Sequence, residues 1–135
     1  MTTDSNKKLI LIVEDEKILS NLLKEKLEEE GFDVAVAYDG LEFLRLALER
    51  HPDLILLDIL IPKVDGMTML KKFREDPWGA HANVIILTNI SDVSKMAEGV
   101  EIGLDRNTTY EYLVKSNWPI SDVVSKIKER LKIKD

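Results

Sequence analysis

Leu54-Ile55-Leu56-Leu57-Asp58 is a short apolar run closed by a carboxylate. Its length and its flanks, Pro52-Asp53 before and a charge after, suit a strand buried on both faces. The same pattern recurs along the chain. Leu9-Ile10-Leu11-Ile12-Val13 is closed by Glu14-Asp15, Val84-Ile85-Ile86-Leu87 by Thr88, and Tyr112-Leu113-Val114 by Lys115. Each of these strand-like runs ends in a group that can serve a phosphoryl group or a divalent cation. Ligands of open α/β sheets bind outside the carboxyl ends of the strands, so these ends can converge on one site.

Between the runs lie segments of helical period. Including Val34–Tyr38 and Tyr110–Val114, the strand-like runs number five. In the first helical segment Ile18, Leu19, Leu22, Leu23 and Leu27 recur at helical spacing, with Gly31 as terminator. The second carries Leu41, Leu44 and Leu48 and stops before Pro52. The third runs from Gly66 through Met69, Leu70 and Phe73 to near Pro77. The fourth starts at Ser91 or Asp92, both natural N-caps, and contains Val93, Met96 and Val100. The fifth follows Pro119 with Ile120, Val123, Val124, Ile127 and Leu131. Strands alternating with helices predict an α/β fold, a doubly wound parallel sheet covered on both faces. Asp33 before the second run and Glu111 inside the fifth dilute the apolar pattern. No repeat or linker is visible. Residues 1–135 read as a single module, with 1–7 as a flexible tail and no room for an attached output domain.

Composition narrows the function. The 135 residues carry a net charge of −6 and 44% hydrophobic content, which suits an ordinary globular core and argues against a direct nucleic-acid binder. There is no cysteine, so disulfides and thiolate metal sites are excluded. The apolar runs fall far short of the roughly 20 residues that span a bilayer, and the polar Met1–Lys8 segment is not a secretory signal. The expected location is the cytoplasm, with no membrane insertion. Lys126, Lys128, Arg130, Lys132 and Lys134 make the last helix basic; the plain reading is a solvated face whose cations favour the helix C-terminus.

The whole pattern resembles the receiver domain of two-component response regulators over nearly the full chain. The acidic pair after the first strand is Glu14-Asp15. The segment Asp58-Ile59-Leu60-Ile61-Pro62-Lys63-Val64-Asp65-Gly66 matches the family's phosphoacceptor loop. Thr88 stands where the family has a hydroxyl, and Tyr112 and Lys115 where it has an aromatic and a lysine. The resemblance implies a flavodoxin-like (βα)5 fold with strand order 2-1-3-4-5. It also implies a phosphoacceptor that catalyses only its own phosphorylation and slow dephosphorylation.

The residue types agree with that chemistry. A carboxylate at Asp58 can attack a phosphoryl donor and form an acyl phosphate. Asp15 and Asp58 with a backbone carbonyl suit an oxygen-ligated cation, Mg2+ or Mn2+. Lys115 supplies a point charge and Thr88 a hydrogen bond to phosphoryl oxygens. By the resemblance the carbonyl is that of Leu60, and Glu14 binds the cation directly or through water. The resemblance further implies a switch in which Thr88 moves toward the phosphoryl group and Tyr112 turns inward, with Tyr110 its rival. It places output on the face made by the fourth helix, fifth strand and fifth helix. The implied partners are a histidine kinase or histidine phosphotransfer protein and, at the output face, a downstream protein or a second copy in a phosphorylation-linked homodimer. Leu60 and Ile90 occupy the family's hydrolysis-tuning positions; both are apolar, which predicts a long-lived phosphoryl group.

Simpler roles exist for the same residues. Asp15 can cap the first helix, Glu14 can pair with Lys17 in solvent, Thr88 can be structural and Lys115 an edge charge. Asp65-Gly66 is a turn signal. His51 and His81 lack metal-spaced partners and read as surface residues, Trp78 and Trp118 as packing or surface residues, and the methionines as core fillers. Three features depart from the family pattern: Asn89 after the hydroxyl, Ser116 after the lysine, and a long 103–111 segment. Asn89 and Ser116 lend some weight to an alternative, a phosphorylation-independent interaction module of the same fold, which the complete charged set opposes. A haloacid-dehalogenase-type hydrolase needs a second aspartate where Leu60 stands, and a mononucleotide-binding flavodoxin-like protein needs a glycine-rich loop after the first strand.

Overall fold

Leu54–Leu57 is a strand with its backbone paired on both sides, to Leu9–Val13 and to Val84–Thr88. The computed structural model describes residues 7–58, 66–88, 110–114 and 119–132. In chain order these form β1 (Leu9–Val13), α1 (Lys17–Glu29), β2 (Asp33–Ala37), α2 (Gly40–Arg50), β3 (Leu54–Leu57), α3 (Gly66–Glu75), a 3-10 turn (Gly79–His81), β4 (Val84–Thr88), β5 (Tyr110–Val114) and a C-terminal helix (Ile120–Arg130). The sheet is parallel, in the order β2-β1-β3-β4-β5. The helix expected from Ser91 or Asp92 and the tail at 1–6 lie outside the described residues.

Alternate side chains of the same strands feed two cores, because successive residues of a strand point to opposite faces. Leu11, Val13, Ile55, Leu57, Val84 and Ile86 meet Phe43 and Ala47 of α2 and Met69, Leu70 and Phe73 of α3. Ile10, Ile12, Leu54, Leu56 and Ile85 meet Leu23 and Leu27 of α1 and Val123, Val124 and Ile127 of the C-terminal helix. Burial on both faces explains why the central strands carry no polar alternation.

The helices differ in register from the leucine spacing. In α1 the buried residues are Ser20, Leu23 and Leu27, while Ile18 is 75% and Leu22 47% exposed. In α2 the buried set is Gly40, Phe43 and Ala47, and Leu41 is 57% exposed. Each helix has more apolar residues than the stripe of roughly 100° that faces the sheet can take, so the surplus falls on the outer flank.

The second strand runs Asp33–Ala37 rather than Val34–Tyr38. The Asp33 amide already donates to the Lys8 carbonyl at 3.0 Å, while the Tyr38 amide leaves the ladder and donates to Glu42 Oε1 at 2.8 Å. Glu42 N in turn donates to Asp39 Oδ1 at 2.8 Å. Asp39 thus caps α2 while Glu42 reaches back to the residue before the cap, and the two bonds fix the turn from β2 into α2. Gly31, at φ +97°, carries the chain away from the end of α1 in a conformation open to glycine.

The basic residues of the C-terminal helix lie at its surface, as expected, and two of them are paired there. Lys128 donates to Glu30 just beyond α1, and Lys126 pairs with Glu129 at 3.0 Å. His51 stacks on Trp78 with centroids 4.2 Å apart, and Trp78 also meets Phe73 edge-on. No helix among the described residues is long and apolar enough to cross a membrane.

Candidate functional site

Strand register brings the candidate residues to one edge of the sheet. Val13 lies level with Ala37 on one side and Leu57 on the other. The next residues, Glu14, Tyr38 and Asp58, therefore leave the sheet side by side. Two further backbone bonds hold them there. Glu14 N donates to the Ala37 carbonyl at 3.0 Å, and Asp58 N to the Val13 carbonyl at 2.9 Å.

The side chains converge as well. Carboxylate oxygens of Glu14, Asp15 and Asp58 all lie within 4.8 Å of one another. Glu14 is only 2% and Asp58 6% exposed, whereas Asp15 faces solvent. Beneath them Ile12, Val13, Leu23 and Leu56 form an apolar floor whose gap leaves no room for water. A cation at this cluster must sit on the outer side, toward Asp15.

Burying carboxylates is costly unless they are paired or coordinate a metal. Oxygen donors alone, without nitrogen or sulfur, match the preference of Mg2+ and similar hard cations. The residues present thus fit such an ion.

Two simpler roles fall away. The N-cap of α1 is Glu16, with no side-chain capping bond, so Asp15 is not the cap. Glu14 is not a solvated partner of Lys17: it is buried, and its Oε2 accepts from Glu16 N at 3.1 Å. Lys17 instead lies over the Tyr38 ring, 5.6 Å from the centroid. Neither Lys17 nor Tyr38 stood out in the sequence as part of the site. The Asp39-Gly40-Leu41-Glu42 capping signature would have located Tyr38 beside it.

Thr88 is the last residue of β4, paired with Val114 of β5, the residue before Lys115. Because Leu57 pairs with Ile86, Thr88 stands two positions farther along the strand direction than the level of Leu57. Tyr112 pairs with Ile86, and Tyr110 with Val84. Leu60, the rest of the 59–65 loop, Asn89, Ile90, Lys115, Ser116, Trp118 and residues 103–109 lie outside the described residues.

Residues 10–126 match the response regulator receiver domain family. The chain belongs to that family. Receiver domains are signalling phosphoacceptors of two-component systems rather than enzymes in the usual sense. The DNA-binding dual master transcriptional regulator RpaA of a Synechocystis strain is 33% identical over 126 residues, covering 93% of this chain and 50% of the relative. The chain spans about half the length of several curated relatives it matches.

Solved structures agree on the fold. The BeF3-activated N-terminal receiver domain of Klebsiella pneumoniae RstA is 25% identical, with TM-score 0.77, covering 93% of this receiver domain and 99% of that chain. The receiver domain of the Pseudomonas aeruginosa sensor histidine kinase PA1611 is 22% identical, with TM-score 0.80, covering 93% and 98%. That protein holds a magnesium ion in its own active-site cleft.

Proposed function

We propose that this receiver domain takes a phosphoryl group onto Asp58 from the phosphohistidine of a histidine kinase or histidine phosphotransfer protein. The single observation that carries the reading is the meeting of Glu14, Asp15 and Asp58 at the carboxyl edge of the sheet. An Asp58 oxygen attacks phosphorus, forming an O–P bond as the N–P bond breaks, and the electron pair of that bond leaves on the imidazole nitrogen. Burial of Asp58 at a strand end holds its carboxylate in one direction and limits the water around it.

Glu14, Asp15, Asp58 and the Leu60 carbonyl are the residues that would hold Mg2+ or Mn2+, which when bound neutralises charge on the phosphoryl oxygens. Lys115 pairs with one phosphoryl oxygen and Thr88 donates to another. Thr88 and Tyr112 then form the switch, a two-state element biased by new charge-assisted contacts. Full reversal of its population requires a preference of about 5.5 kcal/mol. Output passes to a downstream protein, or to a second copy, at the face that includes β5 and the C-terminal helix.

The test is incubation with acetyl phosphate and Mg2+ followed by intact-mass measurement. One phosphoryl adduct is expected, absent in Asp58→Asn. An adduct that persists in Asp58→Asn overturns the assignment, and no adduct in the native protein favours a phosphorylation-independent module. With apolar Leu60 and Ile90 unable to orient a water, the adduct should outlast seconds in Mg2+; faster loss rejects that part of the reading.

A further inference from the structure

We propose that Tyr38 is a positioning residue that keeps Lys17 from neutralising the acidic pocket and so preserves its affinity for a divalent cation. This rests on the reading of Glu14, Asp15 and Asp58 as a cation site. Lys17 follows Asp15 by two positions and is the first residue of α1, so its ammonium is the nearest mobile positive charge in sequence to the acidic pair. An ammonium among three carboxylates competes with a metal ion for the same oxygens.

The structure gives that ammonium another place. It lies 5.6 Å from the centre of the Tyr38 ring. Tyr38 leaves the sheet from β2 and Asp58 from β3, on opposite sides of β1. Lys17 is therefore drawn to the β2 side of the acidic pair, away from Asp58. The ring can act as a fixed anchor because its backbone is fixed. Tyr38 N is held by Glu42 Oε1, and Glu42 N by Asp39 Oδ1, each at 2.8 Å. The attraction of an exposed ammonium to an aromatic face is modest, equivalent to a roughly two- to five-fold change in a binding constant. That is enough to bias one flexible lysine between two nearby partners.

The experiment is a calorimetric Mg2+ titration of the native protein, Tyr38→Leu, Tyr38→Phe, Lys17→Gln, the Tyr38→Leu/Lys17→Gln double variant and Asp15→Asn. Tyr38→Leu should weaken Mg2+ binding roughly two- to five-fold, Tyr38→Phe should bind as the native protein does, and Lys17→Gln should undo the defect of Tyr38→Leu. A merely structural tyrosine predicts no rescue by removing the lysine. If Lys17→Gln changes affinity equally in both backgrounds, or Tyr38→Leu changes nothing while Asp15→Asn abolishes binding, the proposal is wrong and the cation site stands. If the native protein binds no Mg2+, or Asp15→Asn binds as well as native, the cation-site reading fails and the proposal falls with it.

Discussion

Replacing Glu14 by Gln should stabilise the protein in the absence of metal, and saturating Mg2+ should shrink or cancel that advantage over the native chain. Glu14 and Asp58 are both buried, and their oxygens lie within 4.8 Å of each other. Two like charges at that separation repel by about 3.5 kcal/mol at an effective dielectric of about 20. Relaxation, the solvent beside Asp15 and the further contacts that both carboxylates make reduce this, leaving about 1–3 kcal/mol to be recovered on removing one charge. Gln keeps the shape of Glu and an oxygen that can accept from Glu16 N, which Glu14 Oε2 does at 3.1 Å. In a domain of this size the gain corresponds to a rise in Tm of roughly 4–12 °C.

Mg2+ works against this gain, because an ion that binds only the folded state stabilises it by RT ln(1 + [L]/Kd). A tenfold weaker site in Glu14→Gln forfeits about 1.4 kcal/mol of that term at saturation. Urea unfolding of both proteins, in chelator and in excess Mg2+, reads each quantity directly. If Glu14→Gln is the less stable protein in chelator, or if Mg2+ raises both proteins equally, like-charge crowding relieved by a cation is the wrong account of this site.

Two predictions concern the scaffold. Leu23→Ala should cost about 2–5 kcal/mol by opening a cavity under α1, whereas Ile18→Ala, at an exposed position of the same helix, should change stability by less than about 0.5 kcal/mol; equal effects in urea titrations would refute the observed register. Gly79→Ala should destabilise by about 1–3 kcal/mol, since an added Cβ would lie 2.0 Å from the Phe73 carbonyl oxygen in the turn that Arg74 ties down at Gly79 and Ala82; a Tm within a degree of native would show that the turn yields freely.

Much of the site was legible because chemistry and topology meet at strand ends. Apolar runs closed by Glu14-Asp15 and by Asp58 required only that β1 and β3 be neighbours for the carboxylates to meet, and the pairing of Val13 with Leu57 makes them so. The roles of Lys115, Leu60, Ile90 and Asn89 rest on the family pattern, and those residues fall outside the described ones. Lys17 over Tyr38 was not legible, since neither side chain belongs to a motif and their meeting depends on how α1 and the β2–α2 turn lie across the sheet edge. The basic C-terminal stretch keeps its surface position, and what the sequence did not show is that Glu30, far away in sequence, is brought beside Lys128.

The amino-acid order alone determined the alternation of buried strands and amphipathic helices, and with it the doubly wound sheet and the acidic groups at its carboxyl edge, because period and residue type are local properties of a chain. Only the folded molecule decided which side of each helix is buried, why Glu14 is enclosed while Asp15 meets solvent, and where the Lys17 charge rests. Those outcomes come from long-range packing, in which a helix with more apolar residues than its seat can accept turns until the best-fitting stripe is covered.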